Sequence, residues 1–434
     1  MQHPHDTSAG MAAPPLLALY RDVRARSLDY CAPLALEDYG LQAMPETSPP
    51  KWHLAHTTWF FETFLLQPFL PGYAPFNTAF RSLFNSYYNS VGQPFSRARR
   101  GLLSRPTLDE VHAWRVTVDR AMARLLTTPH PQHTEIRRRL LIGAHHEMQH
   151  QELFFTDIQY SLSCNPLRPA YLPLHHTWLA ETAAPPLAWQ ALPGGVYQIG
   201  AEAVQTSAFD FAFDNELPRH RTFLEPFEIA ARPISNGEWL AFMADGGYHN
   251  PELWLADGWA ACQAQQWQAP LYWEHSPHTG WQSFTLYGMQ PIDPARPVCH
   301  ISGYEADAFA RWASARLPTE QEWETAVSQL PHNSEHAQFI DSGHYHPQPV
   351  RASQWFGSVW EWTASSYAPY PGYRPPAGAL GEYNGKFMCN QLVLRGGSCV
   401  SDRRQLRPSY RNFFYPADRW QYSGLRLARS AAPH

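Results

Sequence analysis

The chain changes character at Cys164, and that change restricts its fold more than any other feature. Before it, apolar residues recur at helical spacing. Leu16, Leu17, Leu19, Tyr20 and Val23 follow Pro15, a residue suited to a first helical turn. A second helix is expected after Ser48-Pro49-Pro50, carrying Trp52, Ala55, His56, Trp59, Phe60 and Phe64 to a stop near Pro68. Two more are expected from Thr107 to Leu126 and from Thr134 to Ser161. Beyond Cys164, prolines at 166, 169, 173, 185 and 186 mark a linker, and short apolar runs then alternate with turns and long loops. Leu192 to Gly200 reads as a strand entered through a glycine turn. Helices are expected only at Ser235 to Ala244 and Gly303 to Ala315, with Pro318 to Glu324 opening a third.

With 434 residues, the chain exceeds one ordinary core. The expected fold class is therefore multidomain. A disordered tail at 1–14 precedes an antiparallel four-helix bundle over 15–165, a linker over 166–188 and an irregular α+β domain over 189–430. Bundle interiors are a common place for metal sites built from facing helices.

Composition excludes several classes. A net charge of −5 gives no basic field for a phosphate backbone, so no nucleic acid partner is expected. The most apolar stretch, Trp59 to Leu70, is broken by Glu62, so no membrane span is expected. The N-terminus lacks the basic start and apolar run of a signal peptide. Cys31, Cys164, Cys262, Cys299, Cys389 and Cys399 are scattered without CxxC spacing and read as reduced thiols of a cytoplasmic protein. Charged residues make up 16% of the chain, against roughly 25% in ordinary soluble domains, and 40 Pro and 17 Trp accompany them. Ordered loops and aromatic-lined surfaces should result.

The chemistry gathers at His145-His146-Glu147-Met148-Gln149-His150-Gln151-Glu152. Residues four apart share a helix face, so His146 and His150 can aim at one cation. In a chain with 22 His, spacing alone fits a metal pair or a surface coincidence equally. His56, on the second helix, is the best third ligand, and three imidazoles would leave positions open opposite them. Taken literally, His146 to His150 also matches the HExxH of zinc hydrolases, with Glu147 as base. Glu152, six positions after His146, turns about 120° off the histidine face and is expected to be structural. The loop from Pro71 to Arg105 is long and aromatic, and loops of that length are usually functional or disordered.

Trp52-His53-Leu54-Ala55-His56 together with His146-Glu147-Met148-Gln149-His150 resembles the three-histidine iron site of the ergothioneine-biosynthesis sulfoxide synthases. That family joins a DinB-like bundle to a C-type-lectin-like domain similar to formylglycine-generating enzymes. The later blocks fit in order: Pro297 to Ala306, Ala315 to Glu324, Phe356 to Thr363 and Leu394 to Cys399. Formylglycine-generating enzymes need a second cysteine after this last block to hold copper. Cys399 has none through His434, so Arg395 to Ser398 and Trp360 to Trp362 read as scaffold.

The resemblance implies that Fe(II) and O2 join the sulfur of a thiol to the imidazole carbon of hercynine, giving a sulfoxide. It implies His56, His146 and His150 as metal ligands, and Tyr87 and Tyr88 as the catalytic pair, one handing a proton to the reacting oxygen. It implies Arg97 and Arg100 for the thiol substrate's carboxylate and Gln149 for the hercynine ring. Asn412 and Phe413 would form hercynine's further wall, since an aromatic face attracts a quaternary ammonium. Phe414 and Asp418 stand where relatives using γ-glutamylcysteine carry an aspartate and an arginine, so free cysteine is the expected donor. Cys399 to Gln405 departs from the cysteine-using pattern, which keeps open a selenoneine synthase taking a selenol donor from a selenosugar. A zinc hydrolase using Glu147, and a bundle with a carbohydrate- or protein-binding domain, are the other readings.

Overall fold

The computed structural model describes residues 15–174, 178–179, 183–202, 209–331 and 334–431. The tail expected at 1–14 and parts of the expected linker lie outside them. Four long helices make up the first part: α1 (Pro15–Cys31), α2 (Pro50–Phe61), α3 (Leu108–Thr127) and α4 (His133–Ser163). Pro50 opens α2, and a wide turn at Glu62–Leu66 carries it into Gln67–Phe69. Thr107 caps α3 reciprocally: its hydroxyl accepts from Glu110 N at 3.2 Å, and the Glu110 carboxylate accepts from Thr107 N at 2.6 Å.

α1 packs on α3 and α4, and α2 packs on the same two, which closes a four-helix bundle. Trp59, Phe60, Val111, Trp114, Val118, Met122 and Leu140 are wholly buried in its core. α2 meets α4 closely because Gly143 has no side chain. A Cβ there would lie 2.6 Å from Phe61 Cε1 and 3.0 Å from Phe60 Cε1. Gly143 stands one turn before His146, so the close approach lies beside the histidines.

The remainder mixes short strands and helices. In chain order these are β1 (Trp189–Leu192), β2 (Gly195–Ile199), β3 (His220–Leu224), β4 (Phe227–Ala230), α5 (Asn236–Ala244) and α6 (Ala256–Ala264). Next come β5 (Trp273–Ser276), β6 (Gly280–Thr285), β7 (Gly288–Pro291), α7 (Gly303–Trp312) and α8 (Glu320–Gln329). The last are β8 (Trp360–Ser366), β9 (Leu392–Arg395), β10 (Asn412–Phe414), β11 (Ser423–Leu425) and β12 (Ala428–Ser430). The sheet β10-β9-β8-β11 pairs antiparallel except for β11 on β8, and β1-β4-β12 and β5-β6-β7 are three-stranded. The strand expected at Leu192 to Gly200 is the β2 arm of a hairpin with β3, and α6 adds a helix that spacing does not announce.

The Arg395 to Ser398 and Trp360 to Trp362 blocks serve as scaffold. Buried Arg395 pairs with Glu320 at 2.8 Å and Glu324 at 3.1 Å, and Glu361 pairs with buried Arg426 at 2.8 Å. All six cysteines are free thiols. Among the described residues no helix is long and apolar enough to cross a membrane.

α4 is the shared spine. One face carries Gly143, His146, His150 and Asp157 toward α2. A second carries Glu147 and Gln151 toward α1, where Gln151 Nε2 donates to Val23 O at 2.8 Å. A third meets the C-terminal part: Gln405 donates to His145 O at 2.9 Å, Gln149 donates to the Tyr410 hydroxyl at 2.7 Å, and Tyr422 donates to Gln159 Oε1 at 2.6 Å.

Candidate metal centre

His56 from α2 and His146 and His150 from α4 bring one ligand nitrogen each to within 4.8 Å of one another. The Nε2 atoms of His56 and His146 stand 3.2 Å apart, and the ring centres of the three pairs are 4.6–4.9 Å apart. Two nitrogens bound at about 2.1 Å and near a right angle on one ion would be separated by about that distance. His56 and His146 are buried while His150 is half-buried, so the group opens on the side of His150 and Gln149.

The hydrogen bond behind His56 leaves its coordinating lone pair bare. A carbonyl only accepts, so the 2.6 Å contact between His56 Nδ1 and Phe84 O places hydrogen on Nδ1 and leaves Nε2 free. His150 Nδ1 faces His53 Nδ1 at 2.9 Å, and His53 Nε2 faces Asp157 Oδ2 at 3.1 Å. His146 Nδ1 is buried without a partner among the described residues. Burial, followed by the charge His146 would carry, holds His56 well below the usual imidazole range. Burial holds His150 well below it too, reinforced by His146 and His56. Burial, then the charge His53 would carry, brings His146 down to about 3. Three neutral imidazoles with converging ring nitrogens suit a divalent iron-group ion.

Trp52 and Trp59, one helical turn to either side, sandwich His56 at 4.5 and 5.5 Å between ring centres, each inclined by 13°. Arg100 lies 3.4 Å over the Trp52 ring and donates to Ser48 Oγ at 2.8 Å and Ser86 Oγ at 2.9 Å. Arg97 is exposed. On the other side Tyr88 packs on Trp59 at 5.5 Å and on Tyr87 at 4.6 Å. The loop that presents both tyrosines is folded by Asn85, whose side chain accepts from Tyr88 N at 3.0 Å and donates to Tyr88 O at 2.9 Å. The Tyr88 hydroxyl is buried against Tyr87, and burial raises both phenols above their ordinary value.

The tyrosine in contact with a ligand ring is Tyr383, edge-on to His146 at 5.6 Å. Its hydroxyl donates to Gln149 Oε1, so Gln149 is held between Tyr383 and Tyr410. The following residues grip the tyrosine loop. Glu382 accepts from Asn89 N at 3.0 Å and Ser90 N at 2.9 Å, and Lys386 donates to Tyr87 O. Phe413 stacks on Tyr367 at 4.0 Å and lies 6.2 Å from Phe387, which itself meets Tyr87 at 5.0 Å. Asn412 turns its side chain back to Phe413 N at 3.0 Å, and Phe414 packs on Trp420 at 6.0 Å. The histidines, Gln149, Arg100 and the tyrosines are therefore joined by direct contacts, while Asn412 and Phe414 make theirs on β10 and its surroundings.

Glu147 points away from the three histidines. It accepts from Arg24 at 3.1 Å, Arg115 at 3.0 Å and Ser27 at 2.7 Å, which commits both oxygens to a buried ion cluster instead of a water. That arrangement opposes a zinc hydrolase with Glu147 as base.

Residues 182–335 and 328–431 match the sulfatase-modifying factor enzyme 1-like domain family. The hercynine oxygenase of Mycolicibacterium smegmatis is 30% identical over 421 residues, spanning 89% of this chain and 92% of that protein. This chain belongs to the hercynine oxygenase family. The hercynine oxygenase of Mycobacterium tuberculosis is 35% identical over 242 residues, 50% of this chain and 56% of that protein. The formylglycine-generating enzyme of Thermomonospora curvata is 33% identical over 148 residues, 32% of this chain and 47% of that protein. The resemblance to sulfoxide synthases read from the motifs therefore holds, and with it the formylglycine-generating-enzyme-like domain.

For a member of this family, three residues of the site escape motif reading. His53 lies inside the quoted motif without an assigned task, although its i−3 spacing from His56 puts it on the same face. Asp157 follows His150 by seven residues, two helical turns, which is a usable signal. Tyr383 sits in an irregular segment with no pattern to mark it.

Proposed function

We propose that this protein is an Fe(II)- and O2-dependent enzyme that couples hercynine to a thiol, giving a sulfoxide in ergothioneine biosynthesis. The observation that carries this is the convergence of His56, His146 and His150, one ring nitrogen from each, in a chain related to hercynine oxygenases along nearly its whole length. The helical part is taken as a DinB-like bundle over 15–165 that carries the metal site, joined through 166–188 to the formylglycine-generating-enzyme-like domain over 189–430.

Coupling removes hydrogen from one S–H and one C–H and uses one O2. One oxygen atom remains on sulfur and the other leaves as water, so four electrons balance. Iron(II) held by the three histidines would supply the activation of dioxygen. Gln149, held by the Tyr383 and Tyr410 phenols, is assigned to the hercynine imidazole. Phe413 and its stacked neighbour Tyr367 offer aromatic surface to the trimethylammonium group. Tyr87 and Tyr88 stay protonated because burial disfavours their anions, so they can deliver a proton in the coupling step. Arg97 and Arg100 are assigned to the thiol substrate's carboxylate.

Free cysteine is the proposed donor. Phe414 packs on Trp420 and position 418 holds a carboxyl, so neither position offers the aspartate-and-arginine pair that would anchor a glutamyl group. The test is anaerobic reconstitution with iron followed by O2, with hercynine offered beside cysteine, γ-glutamylcysteine and a selenosugar, and products read by mass. A cysteine–hercynine sulfoxide is expected. No adduct with any donor overturns the enzymatic reading, and a preferred adduct with another donor overturns the choice of cysteine.

A further inference from the structure

His53 is 5% exposed and both its ring nitrogens are engaged within the bundle. Nε2 lies 3.1 Å from Asp157 Oδ2, and Nδ1 lies 2.9 Å from His150 Nδ1. A carboxylate accepts and does not donate, so the hydrogen of a neutral His53 belongs on Nε2. Nδ1 is then bare and must accept, which makes His150 the donor through Nδ1–H. The only lone pair left to His150 is on Nε2, toward His56 and His146.

We propose that His53 and Asp157 are positioning residues that select the tautomer and ring orientation of His150. This rests on reading the three histidines as an iron centre. The relay is anchored at its far end. Asp157 Oδ2 also accepts from Ser48 N at 2.8 Å, and Ser48 Oγ accepts from buried Arg100 at 2.8 Å. It therefore runs from Arg100 through Ser48, Asp157 and His53 to His150.

The three ligands differ in how their rings are held. His56 uses a main-chain carbonyl, which no substitution removes. His146 Nδ1 has no partner among the described residues. His150 alone is set by side chains. Without an acceptor at position 53, the His150 ring can place hydrogen on either nitrogen, and one of the two forms turns an N–H toward the ion's place.

Two substitutions separate acceptor from filler. His53→Leu fills the space without accepting, whereas His53→Gln retains an amide oxygen that can accept. In metal-free protein labelled with 15N-histidine, the His150 signals, identified by their loss in His150→Gln, should show Nδ1–H in the wild type and in His53→Gln. They should show a mixture or Nε2–H in His53→Leu. In anaerobic Fe(II) titrations His53→Leu should lose about 10- to 100-fold in affinity, the usual effect of removing an outer partner of a ligating histidine. Circular dichroism should be unchanged, and His53→Gln should stay near the wild type. Wild-type affinity in His53→Leu, equal loss in both variants, or Nε2–H on His150 in the wild type would each overturn the proposal. Should the wild type hold no iron, the iron reading fails separately, and the nitrogen spectrum alone decides: Nδ1–H upholds the relay and Nε2–H overturns it.

Discussion

The Glu152 carboxylate accepts a 2.6 Å hydrogen bond from the indole of Trp360, tying the histidine-bearing helix to the sheet of the C-terminal part. Ser398 and Ser401 donate to the same carboxylate at 2.7 Å each. The scaffold blocks of one half thus hold the helix of the other two residues beyond His150. Glu152→Ala would strand three buried donors at about 1–3 kcal/mol apiece, so its thermal midpoint should fall clearly. Iron retention should weaken only partly in Glu152→Gln and vanish in His150→Ala. Equal loss in the latter two would show that Glu152 acts as a ligand.

Gly143 sets the spacing of α2 and α4. Gly143→Ala puts a methyl group 2.6 Å from Phe61 Cε1, so ring or helix must shift. Overpacking of this kind typically costs about 1–3 kcal/mol. Denaturant melts should register that loss, and iron titration should show weaker binding as His146 moves from His56. Unchanged values in both would mean that the helices have slack there.

Glu147 is a structural anion. Its side chain is 1% exposed between Arg24 and Arg115, which are 3% and 2% exposed. Glu147→Gln should cost about 3–5 kcal/mol of stability because it takes the carboxylate partner from buried Arg115, whereas Arg24 keeps Asp119 at 2.8 Å. A general base would instead lose turnover with the melt unaltered, and that outcome would revive the hydrolase reading.

Acid should unfold the metal-free protein through its buried histidines. Burial lowers His56, His145, His146 and His150, with His146 reaching about 3. Because the folded values are depressed, the unfolded chain takes up protons first. Stability from these groups is intact above about pH 6.5 and is lost as pH falls from there toward the folded values, at about 1.4 kcal/mol per unit for each group. The depressed carboxylates Glu135 and Glu382, both near 2, lose their contribution only as pH falls from the ordinary carboxylate range toward that value, while Asp418, raised to about 7 by burial, takes up its proton first in the folded state and offsets part of the histidines' loss. Denaturant midpoints of apoprotein should therefore already fall between about pH 6.5 and 5, where histidines dominate. A flat profile across that window would contradict neutral, buried imidazoles.

The bundle helices are legible in sequence because apolar residues recur at helical spacing, and α2 and α3 have a recognisable start in Pro50 and the Thr107/Glu110 pair. α4 is legible as a helix but not in its packing. Buried on three sides, it carries no single stripe to say that Glu147 faces α1, His150 faces α2 and Glu152 faces the sheet. The three histidines follow from spacing and motif. His53 and Asp157 require the pairing of two helix faces, which only the fold supplies. α6 escapes notice because an Ala-rich segment that buries only Gly258 and Cys262 has little amphipathic contrast. Tyr383 comes from an irregular stretch whose path is set by tertiary contacts with Phe213 and Gln149.

The most direct test is the amount of Fe(II) retained per chain after anaerobic reconstitution and desalting, compared across the wild type, His56→Ala, His146→Ala and His150→Ala. One ion per chain in the wild type and loss in every single variant is the predicted result. Full retention by His56→Ala would place the ion away from α2 and contradict a centre shared by the two helices.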